Sequence, residues 1–261
     1  MPKEPVLRPP FCRIGSKRDI ADMVMSYFPD DFDVYVEPFI GSGAIYWKKD
    51  PADHKEVIND LDSKLIADYR LLKATDARNF QQGLDSVPEL QRFIDKTPKS
   101  DADKLTYGVV SRCNRWMGKE EGLIYNDSNP YNKLKNLDLY QQRMRNTIIR
   151  NKSYEQVINE FDSPKTFFYL DPPYEESKKT GKLYTHGGMG FDYEKLEQVL
   201  SKTKGKWLLS INDSPNIRSI FAGYFYHPFT VKAKSRVKTQ GKTTIGGKDR
   251  KELLISNYSN A

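Results

Sequence analysis

The sequence predicts an α/β fold: a mostly parallel β-sheet covered by helices on both faces, closed by an antiparallel C-terminal hairpin and interrupted by a helical insertion. Three observations carry that expectation. Short runs rich in β-branched and aromatic residues alternate with stretches whose apolar residues recur at helical spacing. The alternation halts between about residues 76 and 163, then resumes. Two of the strand-like runs end in chemically unusual turns, Glu37-Pro38-Phe39 leading into Gly41-Ser42-Gly43, and Asp171-Pro172-Pro173-Tyr174. Sheets of this class take their ligands at the carboxyl ends of the strands.

The elements follow in order. "KRDIADMVMSYF", residues 17 to 28, has apolar residues at helical spacing and stops before Pro29. Residues 33 to 38 read as a strand, and "EVIND" ends a second strand on an acid. Residues 62 to 74 form a helix with Asp62 or Ser63 as its cap. The region 76 to 163 is polar, helical and crowded with turn formers, so it is assigned as an insertion between the two parts of one domain, 1 to 75 and 164 to 261. Residues 166 to 170, "TFFYL", suit a buried strand. A helix over 192–203, a strand over 206–211 and a short helix over 214–222 follow. Two last strands, 224 to 234 and 251 to 258, are joined by a basic, glycine-bearing loop and pair as the closing hairpin.

Bulk composition narrows the function. The chain has 261 residues, enough for one large core with an insert, and its 12% aromatic content argues against disorder. No apolar run approaches the roughly 20 residues of a bilayer span, and the opening MPKEPVLRPPF lacks the apolar core of a signal peptide. An intracellular protein without membrane association is expected. Cys12 and Cys113 stand apart without a CxxC partner, and three scattered histidines do not complete a zinc site, so no metal centre is expected. A net charge of +7 favours a polyanionic partner, and "KAKSRVKTQGKTTIGGKDRK" from Lys232 to Lys251 concentrates that charge.

The glycine turn lets a ligand approach the backbone closely. It lacks the third glycine of a dinucleotide fingerprint and the Lys-Ser/Thr of a phosphate loop, which leaves another adenosyl ligand as the better fit. Asp60, about 20 residues beyond the start of that turn, has the spacing of a carboxylate that accepts from ribose hydroxyls.

"DPPY" after an apolar strand, with "YVEPFIGSGA" upstream, resembles the paired motifs of the Dam-like S-adenosylmethionine-dependent DNA adenine methyltransferases. "FCRIGSK", "INDLD", "LLSIND" and "RKELLISNY" are similar to further segments of that family in the same order, so the resemblance spans about residues 11 to 258. Ser16 stands where the family usually has glycine, and Arg13 where it has an aromatic residue. The resemblance implies a Rossmann-like methyltransferase fold, S-adenosylmethionine as cofactor and double-stranded DNA as substrate. It also implies that Lys17 meets the cofactor's methionine carboxylate. Glu37, Pro38, Phe39, Gly41, Ser42, Gly43, Asp60 and Asp171 complete the expected cofactor site.

Adenine's exocyclic amine is a poor nucleophile because its lone pair is delocalised into the ring. Two acceptors, the Asp171 carboxylate and the Pro172 carbonyl, would localise that lone pair and stabilise the charge that develops during transfer. Two prolines supply carbonyls without competing N–H donors, and Tyr174 offers a stacking face for an extruded base. The insertion is the expected target reader, with Arg112, Asn114, Arg115 and Lys119 available for phosphates or base edges. Trp116 and Met117 fit equally well as the insert's own core. Lys238, Lys242 and Lys248 of the basic loop are expected to track the DNA backbone. Amino-methylation of cytosine and a catalytically silent DNA-binding relative stay open as alternatives. A companion restriction endonuclease and a monomeric state complete the expectations.

Overall fold

The computed structural model of the chain describes residues 7–11, 16–51, 54–76, 100–113, 136–174, 190–232, 236–239, 242–245 and 249–259. Its centre is a seven-stranded sheet of order β3-β2-β1-β4-β5-β9-β6. Here β1 is Val34–Glu37, β2 Lys55–Asn59, β3 Ile148–Arg150, β4 Thr166–Leu170, β5 Lys206–Asn212, β6 Phe225–Val231 and β9 Arg250–Ser256. The first five are parallel, whereas β9 runs antiparallel to both β5 and β6. The expected closing hairpin is present. Its final strand slots between β5 and β6, with Leu209 opposite Ile255 on one side and Tyr226 opposite Ile255 on the other.

Alternation along the strands divides the core. Tyr35, Phe167, Tyr169, Leu208 and Leu254 face one layer with Ala21 and Val24 of helix α1 (Ala21–Met25) and Ile45 of α2 (Ala44–Lys48). Val36, Phe168, Leu170, Trp207 and Leu209 face the other, against α6 (Tyr154–Phe161), α7 (Tyr193–Leu200) and α8 (Pro215–Ile220). A period of two along a strand produces this division, and burial on both faces explains why "TFFYL" is apolar throughout. Helix α3 (Ser63–Ala74) opens with Asp62, whose carboxylate accepts from the Leu65 N–H at 3.0 Å, so the cap falls on Asp62 rather than Ser63. A third apolar cluster joins α3 to α4 (Asp101–Cys113) and α5 (Leu137–Met144) through Leu65, Tyr69, Leu72, Leu105, Val109, Tyr140 and Met144.

Three features differ from the sequence reading. The N-terminal helix is broken into a 3-10 turn, Arg18–Ile20, followed by α1. The basic segment between the closing strands contains a hairpin of its own, β7 (Arg236–Thr239) paired antiparallel with β8 (Lys242–Ile245), and the exposed Lys232–Asp249 ion pair at 2.9 Å joins its two flanks. Most consequentially, 137–161, within the 76–163 span assigned to the insertion, extends and covers the central sheet. β3 extends the sheet beside β2, and Arg143 of α5 forms a buried ion pair with Glu56 of β2. A three-residue strand is too short for its periodicity to be legible.

Candidate active site

The strand order reverses between β1 and β4, so the crevice of an open α/β sheet forms above their adjacent carboxyl ends. The register Val34↔Thr166, Tyr35↔Phe167 and Val36↔Phe168 sends Glu37-Pro38 and Asp171-Pro172 out of the sheet side by side.

The glycine turn is fixed from several directions. Gly41 and Gly43 take φ of 49° and 70°, where a side chain is strained, and a Cβ on Gly43 would stand 2.9 Å from both the Trp47 Nε1 and the Tyr69 hydroxyl. Tyr69 donates to the Gly41 carbonyl at 3.1 Å. Asp60 accepts from the Gly41 N–H and the Asp62 N–H, both at 3.0 Å, so the acid assigned to ribose also clamps the turn. Asn59 donates to the Pro38 carbonyl at 2.9 Å and exchanges hydrogen bonds with the Lys152 backbone, which ties together the ends of β1, β2 and β3. Phe39 packs with Tyr154 and Phe191, at ring separations of 5.4 and 5.7 Å.

A chain of contacts leads from this turn to the Asp-Pro-Pro-Tyr corner. The Ser42 hydroxyl donates to that of Ser16 at 3.2 Å, and the next residue, Lys17, reaches Asp171 Oδ1 at 2.7 Å. The Lys17 amine also lies 4.6 Å from the Tyr174 ring centre. Ser16, the departure from the usual glycine, is thus used to brace the turn. Lys17, expected against the cofactor's carboxylate, stands on the Asp171 carboxylate.

Side chains that the sequence reading does not single out complete the corner. Tyr193, the first residue of α7, donates to the Pro173 carbonyl. Glu252 of β9 accepts from the Tyr174 hydroxyl at 2.9 Å. The available signal for Glu252 was an acid entering the apolar run Leu253-Leu254-Ile255.

Burial shapes the acids. Glu37 is 2% exposed and its carboxyl is pushed up to about 8, chiefly by desolvation, against the lowering effect of the Tyr35 hydroxyl that donates to it at 2.7 Å. Asp171 is likewise raised by desolvation, with Lys17 opposing. Of the residues expected on DNA, Arg112 lies near the end of α4, Lys238 on β7 and Lys242 on β8, while Asn114, Arg115, Lys119 and Lys248 lie outside the described residues, as do Trp116 and Met117.

The sequence profile of the D12 class N6 adenine-specific DNA methyltransferases matches residues 14–104 and 118–239. The chain belongs to that family. It is an adenine-specific DNA methyltransferase that uses S-adenosylmethionine. Its relatives include the type II methyltransferase M1.LlaDCHI of Lactococcus lactis subsp. cremoris, 26% identical over 286 residues that cover 97% of this chain and 96% of that protein. Another is the type II methyltransferase M.CviBI of Paramecium bursaria Chlorella virus NC1A, 24% identical over 270 residues, 94% of this chain and 97% of the relative. Among solved structures, the precorrin-6y C5,15-methyltransferase of Geobacter metallireducens GS-15 aligns over 97% of this chain and 98% of its own, at 9% identity and a TM-score of 0.45.

The residues of this methyltransferase fit an adenosyl sulfonium ligand. Gly41 bears no side chain at the turn. Leu61, directly after Asp60, is 61% exposed and offers an apolar face to a heteroaromatic ring. Glu37 and Asp171 stand at the adjacent carboxyl ends of β1 and β4, and a cation placed between them would favour their charged forms.

Proposed function

We propose that this methyltransferase acts on duplex DNA by receiving an everted adenine at Asp171-Pro172-Pro173-Tyr174. The carrying observation is the Lys17 amine itself: a nitrogen donor sits 2.7 Å from Asp171 Oδ1 and 4.6 Å from the Tyr174 ring centre, in the pose this reading gives the adenine amine. Asp171 and the Pro172 carbonyl accept the two amino hydrogens, which draws the lone pair out of conjugation and stabilises the positive charge that grows on nitrogen. Tyr174 holds the ring by stacking. Lys17, Glu37, Pro38, Phe39, Gly41, Ser42, Gly43, Asp60 and Asp171 line the cofactor site, with Lys17 for the carboxylate and Asp60 for the ribose. When bound, S-adenosylmethionine supplies an electrophilic methyl group and a neutral thioether leaving group.

The target-reading region in this proposal is narrower than 76–163, because 137–161 is committed to the sheet and its cover. It comprises the chain between α3 and α5, with Arg112, Asn114, Arg115 and Lys119. Lys238, Lys242 and Lys248 contact phosphates from the hairpin side. An intracellular location, a monomeric state and a companion endonuclease that cuts unmethylated sites belong to the same reading, the last by analogy with the type II relatives.

Methyl transfer to duplex DNA by Asp171→Ala tests the catalytic assignment. Activity is expected to fall by about 10²–10³-fold or more, the scale seen when one preorganised transition-state partner is removed, with cofactor affinity by calorimetry falling far less than turnover. Transfer at the wild-type rate would overturn it.

A further inference from the structure

We propose that Glu252 is a positioning residue for the target base, acting through Tyr174. The inference rests on the reading that Tyr174 stacks the everted adenine.

Glu252 occupies an improbable place for a carboxylate. It is 1% exposed, flanked by hydrogen-bonded strands on both sides, opposite Asn212 of β5 and Phe229 of β6. An ionised acid there loses its hydration and must be compensated by specific partners. Its two oxygens have different ones: Oε2 accepts from the Tyr174 hydroxyl at 2.9 Å, and Oε1 faces the Arg250 guanidinium at 3.5 Å. The acid is thereby turned toward the corner that follows β4, 78 residues earlier in sequence.

The corner needs such an anchor because of its own composition. Pro172 and Pro173 have no N–H, so this turn cannot tie itself down with backbone donors. Side chains from elsewhere do so instead. Tyr193 donates to the Pro173 carbonyl, and Glu252 fixes the far end of the Tyr174 side chain. A ring without a tie at its far end would swing about its Cα–Cβ bond. Pinned at its hydroxyl, the ring stays in one place beside Asp171, so a base stacked on it has its amine held within reach of that carboxylate.

The test is a double-mutant cycle on Tyr174→Phe, Glu252→Met and their combination, with Glu252→Gln as the conservative variant. Turnover, the KM for duplex DNA and the fluorescence of 2-aminopurine at the target adenine are read for each, the target site being located first by sequencing methylated DNA. Tyr174→Phe and Glu252→Met are each expected to lower turnover about tenfold, the scale of one hydrogen bond to a charged group. The DNA KM should shift less than about threefold, since phosphate contacts dominate affinity. The double variant should lose no more than either single variant, because both remove the same bond. Glu252→Gln keeps an acceptor oxygen and should recover to within about threefold of wild type. The 2-aminopurine signal should track turnover across the series.

Additive losses, a Glu252→Gln variant as impaired as Glu252→Met, or wild-type turnover in Tyr174→Phe would each overturn the proposal. If Glu252→Met does not fold, Glu252→Gln made with and without Tyr174→Phe decides: the glutamine must have no effect once the hydroxyl is gone. The parent reading fails separately. An active Asp171→Ala sinks the base site itself, whereas an inactive Asp171→Ala with unaffected Glu252 and Tyr174 variants sinks only the anchor.

Discussion

Glu37 is among the residues whose chemistry is set by position more than by type. Its carboxyl is pushed to about 8 in the fold, against 4.5 for an ordinary glutamate. Between those two values the native state carries a proton that the unfolded state lacks, so stability declines as pH rises through that window and levels off above the folded value. The melting temperature of the ligand-free protein should therefore fall between pH 6 and pH 8. Glu37→Gln, permanently neutral, should show a much shallower decline; Asp171, raised in the same direction, leaves some slope behind. Parallel melting curves for the two proteins would refute the assignment. The sequence made Glu37 visible only as the acid ahead of Pro38. Its proton affinity depends on Tyr35, two residues back on the same strand face, and on burial beneath the crevice. Asp60 shows the same limit. Spacing marked it for ribose, but its hold on the Gly41 and Asp62 N–H groups appears only once β2 is laid beside β1.

Elements were legible in proportion to their length and to how completely they are buried. β4 runs over Thr166–Leu170, as its five apolar-rich residues predicted, and β1, β5 and α3 lie within a residue or so of expectation. β3 was not legible: three half-buried residues at a sheet edge carry no period. Nor was the β7–β8 hairpin, whose strands, Arg236–Thr239 and Lys242–Ile245, are only four residues each. The attachment of α5 to the sheet was hidden too, because α5 reads as a polar helix until Arg143 is seen beneath Tyr46. There its guanidinium makes a paired contact with Glu56, and the Lys49 amine stands 3.1 Å from the same acid. This cluster locks α5 to β2. Removing one partner from a buried ion pair strands the other, so Arg143→Met should cost about 3 kcal/mol in urea unfolding. A loss under about 1 kcal/mol would mean α5 is not held to the sheet by this ion pair.

For the molecule as a whole, topology gathers what the sequence scatters. Lys17, Glu37, Gly41, Asp60 and Asp171 are spread over 155 positions, yet parallel strands with their carboxyl ends at one edge bring them to a single crevice. Among the described residues no helix is long and apolar enough to cross a membrane. The surplus of cations, +7 overall, is concentrated around the C-terminal hairpin and suits a polyanion. Duplex affinity should accordingly fall steeply with salt. Replacing Lys238, Lys242 and Lys248 together should flatten the log–log slope by about 3, close to one unit for each phosphate no longer neutralised. An unchanged slope would remove the hairpin from the DNA interface. The measurement that bears most directly on the central claim is a crystal structure of the protein with S-adenosylhomocysteine and a duplex containing its target site. The account predicts the target adenine turned out of the helix, its ring over Tyr174 and its amino nitrogen within hydrogen-bond distance of both Asp171 and the Pro172 carbonyl. An adenine that remains stacked in the duplex, or is everted onto another surface while the cofactor site is filled, would contradict it.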